Sequence, residues 1–173
     1  MGLFNVAVYQ NFFSKKKDLQ NMKELKTGDK APDFSAQNED GETVSLKDFK
    51  GKKLALFFYP ASGTPGCTAE ACSLRDHYKD LQLKGINVLG VSPDSSKKQS
   101  NFIKKYNFPY SLLADDDQTV LKTYGVWGEK KFMGRTFDGV HRTTFLIDEN
   151  GIIEKIYDKV NTGEHAQQIL EGL

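Results

Sequence analysis

A chain of 173 residues with 38% hydrophobic side chains is long enough to bury one proper core and too short for two comfortable domains. Its formal charge is +1, with acids and bases spread throughout, so no strong field draws it to nucleic acid or to an anionic membrane; small molecules and proteins are the expected partners. Two cysteines are too few for a secreted disulfide scaffold, and no apolar run approaches the ~20 residues of a membrane span.

Residues 1–21, MGLFNVAVYQNFFSKKKDLQN, differ in character from the rest, with an aromatic-rich apolar start followed by lysines. The basic residues follow the apolar part and no small-residue cleavage site is evident, so a secretory signal is not indicated. Val6 also breaks the myristoylation pattern. The plain reading is a weakly ordered extension; an organelle-targeting remnant, or a start at Met22, is the alternative. Residues 22–173 then form the single folded domain, expected in a reducing cytoplasm unless the extension directs import.

Short strand-like pieces around Phe34 and Val44, joined by the Glu39-Asp40-Gly41 turn, predict an edge hairpin. LALFFY at 54–59 is a continuous apolar run, as expected of a strand buried on both faces. A helix is predicted from Pro65 through Leu74, Tyr78 and Leu81 to a stop near Gly85. INVLGVS at 86–92 is a second buried strand. A helix over 96–106, a strand over 110–114 and a short helix over 118–124 complete an α/β alternation with a parallel component in the sheet. VWGEKKFMGRTFDGVHR at 126–142 has no clear periodicity and reads as a long loop, a kind of segment that tends to be functional. TTFLID and IIEKIYD flank Glu149-Asn150-Gly151, a strong hairpin signal, and a last helix over 163–170 closes the domain.

The stretch 59–76, YPASGTPGCTAEACSLRD, holds both cysteines and concentrates three helix-start signals. Thr64 suits an N-cap, Pro65 suits the first helical position, and an apolar-periodic run comes next. Cys67 falls in the first turn, where the helix dipole and unpaired backbone N–H groups favour a thiolate, the nucleophilic form. As N-cap, the Thr64 hydroxyl is expected to point at the N–H of Cys67, near the sulfur. An inert buried thiol at an ordinary helix start is the plainer reading of the same residues. Cys72 lies five residues on, a rise of about 7.5 Å and a turn of about 140° on an ideal helix, so the two sulfurs face different directions. Bonding them requires the helix to unwind locally.

Pro60, Thr64 and Cys67 match the Pro, three residues, Thr or Ser, two residues, Cys motif of peroxiredoxins. The stretch resembles their peroxidatic loop. TPGCT, the second cysteine five residues on and Arg75-Asp76 are similar to the peroxiredoxin Q branch, also called bacterioferritin comigratory protein. The similarity extends from about Met22 through GDKAPDF, the 126–142 segment and RTTFLIDENG. The resemblance implies a thioredoxin-like α/β fold with a mixed sheet flanked by helices, and a distant arginine beside the reactive cysteine. Arg142 stands at the matching position, and Glu70 is carried over as a residue that orients this arginine or the helix start. It implies a peroxidase in which Cys67 is peroxidatic and becomes a sulfenic acid, Cys72 resolves it as an intramolecular disulfide, and thioredoxin or a related dithiol restores both thiols. No haem, flavin or metal is needed, and a monomer is expected.

Donors of the kind supplied by Thr64, Arg142 and the backbone N–H groups suit the charge that spreads along a breaking O–O bond. Phe58, Tyr59, Trp127, Phe132 and Phe137 could wall the pocket or serve as core. Two other classes compete. A zinc module would use Cys67, Cys72 and two of His77, His141 and His165, but those histidines are scattered and the sulfurs diverge. A thioredoxin-type disulfide oxidoreductase usually carries Cys-x-x-Cys, absent here.

Overall fold

Strand β3 (Lys53–Phe58) is buried on both faces, as its unbroken apolar run requires. Leu54, Leu56 and Phe58 join one apolar cluster, while Ala55, Phe57 and, just past the strand, Tyr59 join another on the opposite face. Each of the large side chains is fully buried and contributes roughly 1.5–3 kcal/mol by leaving water.

The computed structural model describes residues 24–173; the expectation for residues 1–21 lies outside them. Around β3, among the described residues, a seven-stranded sheet has the order β2 (Thr43–Ser45), β1 (Ser35–Asn38), β5 (Ser111–Ala114), β4 (Ile86–Ser92), β3, β8 (Thr143–Ile147), β9 (Ile153–Tyr157). Its outer members are β1 and β2 at one edge, and β8 and β9 at the other. β4 runs parallel to β3 and to β5, whereas β8 runs antiparallel to β3. The sheet is therefore mixed, with its parallel part at the centre. Helices α1 (Pro65–Asp76), α2 (Tyr78–Leu83), α3 (Ser96–Tyr106), α4 (Thr119–Thr123) and α5 (His165–Glu171) connect and cover it. Gly90 of β4 lets the faces close: a Cβ there would stand 2.5 Å from Leu112 Cδ2 and 2.7 Å from Phe57 Cζ.

The edge hairpin, the two buried strands and the helix over 96–106 match the sequence closely. Ser95 caps α3 by accepting from the Lys98 N–H at 3.3 Å, and Asn107 ends it in the left-handed conformation. Two expectations fail. The helix from Pro65 is not continuous to Gly85: His77 adopts φ −110° and ψ 18°, and its Nδ1–H donates to the Ser73 carbonyl at 3.1 Å, so the chain restarts as α2. Residues 126–142 are not a loop. They form a separate antiparallel ribbon of β6 (Trp127–Phe132) and β7 (Arg135–Val140). Both faces of this ribbon are largely exposed, which erases the apolar alternation that marks a strand. Its turn residues, Met133 and Gly134, both take positive φ, and methionine carries no turn signal for that conformation.

Candidate active site

The end of β3 sets the site. Phe58 pairs with Val91 on one side and with Thr143 on the other, so Arg142, just before β8, lies beside the segment that leaves β3. That segment is a short loop from Pro60 to the Thr64 N-cap, and it leads into α1. The loop is pinned from below. The Ser62 N–H donates to Asp94 Oδ2 at 2.7 Å, and its hydroxyl lies 2.9 Å from both Asp94 Oδ2 and Gln99 Oε1. Fully buried Gln99 accepts from the Tyr59 hydroxyl at 2.5 Å and donates through Nε2 to Ser92 Oγ and to the Leu113 carbonyl. Such a satisfied buried network holds its members in one arrangement.

The Thr64 side chain departs from expectation. It makes no cap bond to the helix; its hydroxyl donates to the Ala61 carbonyl at 2.9 Å instead, closing the loop on itself. The first-turn N–H groups of Gly66 and Cys67 keep the lack of intrahelical partners common to every helix start.

Cys67 is buried among Tyr59, Ala71 and Leu74. Arg142 Nη2 donates to its sulfur at 3.4 Å, while Nη1 of the same guanidinium donates to Glu70 Oε2 at 2.5 Å. Glu70, three residues after Cys67, shares its helix face, so one planar fork spans both groups. Gly66 makes room for that fork, since a Cβ there would meet Arg142 Nη2 at 3.2 Å. Glu70 is fully buried, and burial raises its carboxyl to about 7 against the opposing pull of Arg142. Burial, the largest single influence on Arg142, works against its charge, but Glu70 and Cys67 together outweigh it and the guanidinium is held more firmly protonated.

Cys72 is half-buried on another side of α1, and both thiols are free. Burial pushes the Cys72 thiol up, partly offset by Arg75. Between the two cysteines the Tyr110 hydroxyl donates to the Ala71 carbonyl at 2.6 Å. Cys67, Glu70 and Arg142 thus come together, Pro60 and Thr64 flank them in the loop, and Cys72 stands apart. The aromatic residues do not form a common wall. Phe58 lies in the cluster on the opposite face of the sheet from Cys67, Trp127 packs against that same cluster, and Phe132 and Phe137 are exposed. Only Tyr59 shares the cluster of Cys67.

Among the described residues, no group of three or more His, Cys, Asp or Glu side chains is arranged to hold a metal ion. Of the three histidines, His77 is turned to Ser73, and His165 to Thr144 and Gln168. Sequence reasoning missed Gln99 and Tyr110, and considered His165 only as a zinc ligand; the bonds to Tyr59, Leu113, Ala71 and Thr144 that help fix these three span 14 to 40 positions and leave no local pattern. A groove of about 370 Å³ runs along the loop, lined by Ser62, Gly63, Asp94 and Lys98. A second cavity, of about 330 Å³, lies at the far end of β3 near Leu54 and Ile147, remote from Cys67.

Residues 27–156 match the AhpC/TSA family. The chain is 49% identical over 152 residues to the putative peroxiredoxin bcp of Haemophilus influenzae, covering 88% of this chain and 98% of that one. To peroxiredoxin Bcp of Escherichia coli it is 47% identical, covering 88% and 97%. The fold superposes with a TM-score of 0.75, at 30% identity, on the bacterioferritin comigratory protein of Xanthomonas campestris, covering 80% of this chain and 88% of that one; that structure was solved to address the alkyl peroxide reduction activity of the Xanthomonas protein. The thioredoxin-like fold, the Cys67 environment and these relatives agree: the chain belongs to the AhpC/TSA family and is a thiol-dependent peroxidase of the peroxiredoxin type.

Proposed function

We propose that Cys67 is the peroxidatic nucleophile and Cys72 its resolving partner, in a cycle reset by thioredoxin or a related dithiol. The observation that carries this reading is the 3.4 Å contact of Arg142 Nη2 with the Cys67 sulfur, made by a guanidinium whose other arm is tied to a buried carboxyl. The thiolate attacks the terminal oxygen of a hydroperoxide. An S–O bond forms, the O–O bond breaks, and the departing alkoxide or hydroxide takes up a proton. Arg142 and the first-turn N–H groups are the donors for the charge that develops, joined by the Thr64 hydroxyl once it releases Ala61.

Cys67 is then a sulfenic acid. Attack by Cys72 forms the S–S bond and releases water. On helical geometry the two Cα atoms are about 8.7 Å apart, beyond the ~7 Å a disulfide spans, so the first turns of α1 must open. The external dithiol returns two electrons by thiol–disulfide exchange. Hydrogen peroxide and organic hydroperoxides are the substrates, in keeping with the alkyl peroxide reduction of the Xanthomonas relative. Residues 22–173 suffice for the cycle and act as a cytoplasmic monomer. Among the described residues no helix is long and apolar enough to cross a membrane.

The test is peroxide consumption coupled to a thioredoxin system. Cys67→Ser is expected to abolish turnover, and undiminished activity in that variant ends the assignment. Cys72→Ser is expected to react once and stall; normal turnover with thioredoxin removes its resolving role. Sedimentation of the reduced chain at assay concentration checks the monomer.

A further inference from the structure

His165 is fully buried and has no part in the cycle above. Its tautomer is fixed by its neighbours. Gln168 Oε1 accepts from the Asn161 N–H at 2.9 Å while Gln168 Nε2 donates to the Lys159 carbonyl at 3.1 Å, so the oxygen of this amide is the atom that faces His165 Nδ1 at 2.9 Å. Nδ1 therefore carries the hydrogen, and in the neutral ring Nε2 is a bare acceptor. Thr144 Oγ1, at 2.7 Å, donates to it. Also beside this nitrogen, at 3.7 Å, is Glu70 Oε1, the carboxyl oxygen that Arg142 does not reach and that has no hydrogen-bond donor. A buried carboxyl oxygen with no donor is costly in a dry site, and one proton taken up by Glu70 and His165 together relieves it.

We propose that His165 is a positioning residue for Arg142: with Glu70 it forms a buried site for one proton, whose occupancy sets how much of the Arg142 charge is left for the Cys67 sulfur. The inference rests on Cys67 reacting as a thiolate beside Arg142. With the site empty, Glu70 is a carboxylate and neutralises the guanidinium through its Nη1 bond. With it filled, the Glu70 and His165 pair is neutral overall, and the Arg142 charge falls on the sulfur. Ionisation of Cys67 and proton uptake by the pair then favour each other, by equal amounts in the two directions.

Burial acts in the same sense on the carboxyl, raising Glu70 to about 7, while it lowers the imidazole of His165. Other titratable groups surround the pair. Tyr110 lies on the β5 side, and Tyr157 of β9 packs edge-on against the His165 ring at 5.8 Å, with Lys155 Nζ 5.1 Å from the Tyr157 ring centre. Burial pushes both tyrosines further above neutrality, so they stay uncharged. His77 reaches the cluster only through Gln167 and Ser73, and Glu164, ahead of α5, is exposed. Among the described residues, Cys67 and the Glu70 and His165 pair are the titrating groups in contact with Arg142.

The test is nuclear magnetic resonance of the His165 ring nitrogens and the Glu70 carboxyl carbon in the full reduced chain. Above neutrality the Nδ1–H tautomer with a bare Nε2 is expected, and one proton enters the pair as pH falls. In Cys67→Ser, which cannot supply the thiolate, the midpoint of that uptake moves down by about half a pH unit or more. A second readout is the pH dependence of Cys67 alkylation by iodoacetamide in a Cys72→Ser background. Wild-type His165 gives a curve broader than one proton, and His165→Gln, whose amide donates permanently to Glu70, narrows it to one. An Nε2–H tautomer throughout, or a midpoint indifferent to Cys67→Ser, overturns the proposal. The resonance experiment alone decides if His165→Gln does not fold. Failure of Cys67 as the nucleophile would appear separately, as peroxide consumption surviving Cys67→Ser.

Discussion

Removing one hydroxyl from Tyr110 tests whether α1 opens during the cycle. Tyr110→Phe keeps the ring, which stacks on Phe108 at a centroid distance of 5.5 Å and meets Phe57 edge-on at 5.9 Å. It deletes only the 2.6 Å bond to the Ala71 carbonyl, which retains its ordinary helical acceptor role. Loss of one such bond costs about 1 kcal/mol in the folded helix. Ala71 lies between Cys67 and Cys72, so a helix unwound for the disulfide no longer makes this bond and loses nothing. The ratio of opened to closed helix therefore rises about fivefold, and disulfide formation after one equivalent of peroxide should accelerate by roughly the same factor. The linked potential of the disulfide should fall by about 20 mV, because only the reduced state is weakened. Stopped-flow resolution kinetics and titration against a dithiol buffer read the two quantities. If the reduced protein loses its ~1 kcal/mol while neither quantity moves, the bond survives oxidation and α1 does not open at Ala71.

Gly66→Ala should leave thermal stability unchanged or higher, since alanine favours the helix by about 1 kcal/mol, yet slow the reaction of Cys67 with peroxide roughly three- to tenfold by pressing on Arg142 Nη2. Arg142→Lys replaces a fork that spans the sulfur and Glu70 with a single ammonium, and a rate loss of about 10²-fold in single-turnover peroxide reduction is expected. Glu70 makes stability depend on pH. Its folded carboxyl is raised from 4.5 to about 7, so its stabilising contribution is complete below 4.5 and is lost as pH rises through about 7. Denaturant unfolding at several pH values should show wild type falling relative to Glu70→Gln across that window, and parallel curves would contradict a buried, titrating Glu70.

Local physics controls the features that the chain discloses locally. The apolar run of β3 needs no partner to be recognised as a strand buried on both faces, and the Thr-Pro-Gly sequence marks the start of α1 by cap and φ preferences alone. Cys67 is visible for the same reason. The β6–β7 ribbon is hidden because solvent bathes both its faces and Met133 gives no sign of its positive φ. The break at His77 is hidden because its ring bond to the Ser73 carbonyl, made beside the backbone bond to the same oxygen, forms only once the turn exists. Motif resemblance points to Arg142, but the antiparallel register of Phe58 with Thr143 is the feature that carries its guanidinium to a sulfur 75 positions away. Tertiary structure alone settles where the Thr64 hydroxyl points, which oxygen of Glu70 lacks a donor, and that His165 stands beside it. Those are properties of buried polar atoms, whose partners come from separate elements of the fold and whose energies depend on the exclusion of water that only packing provides.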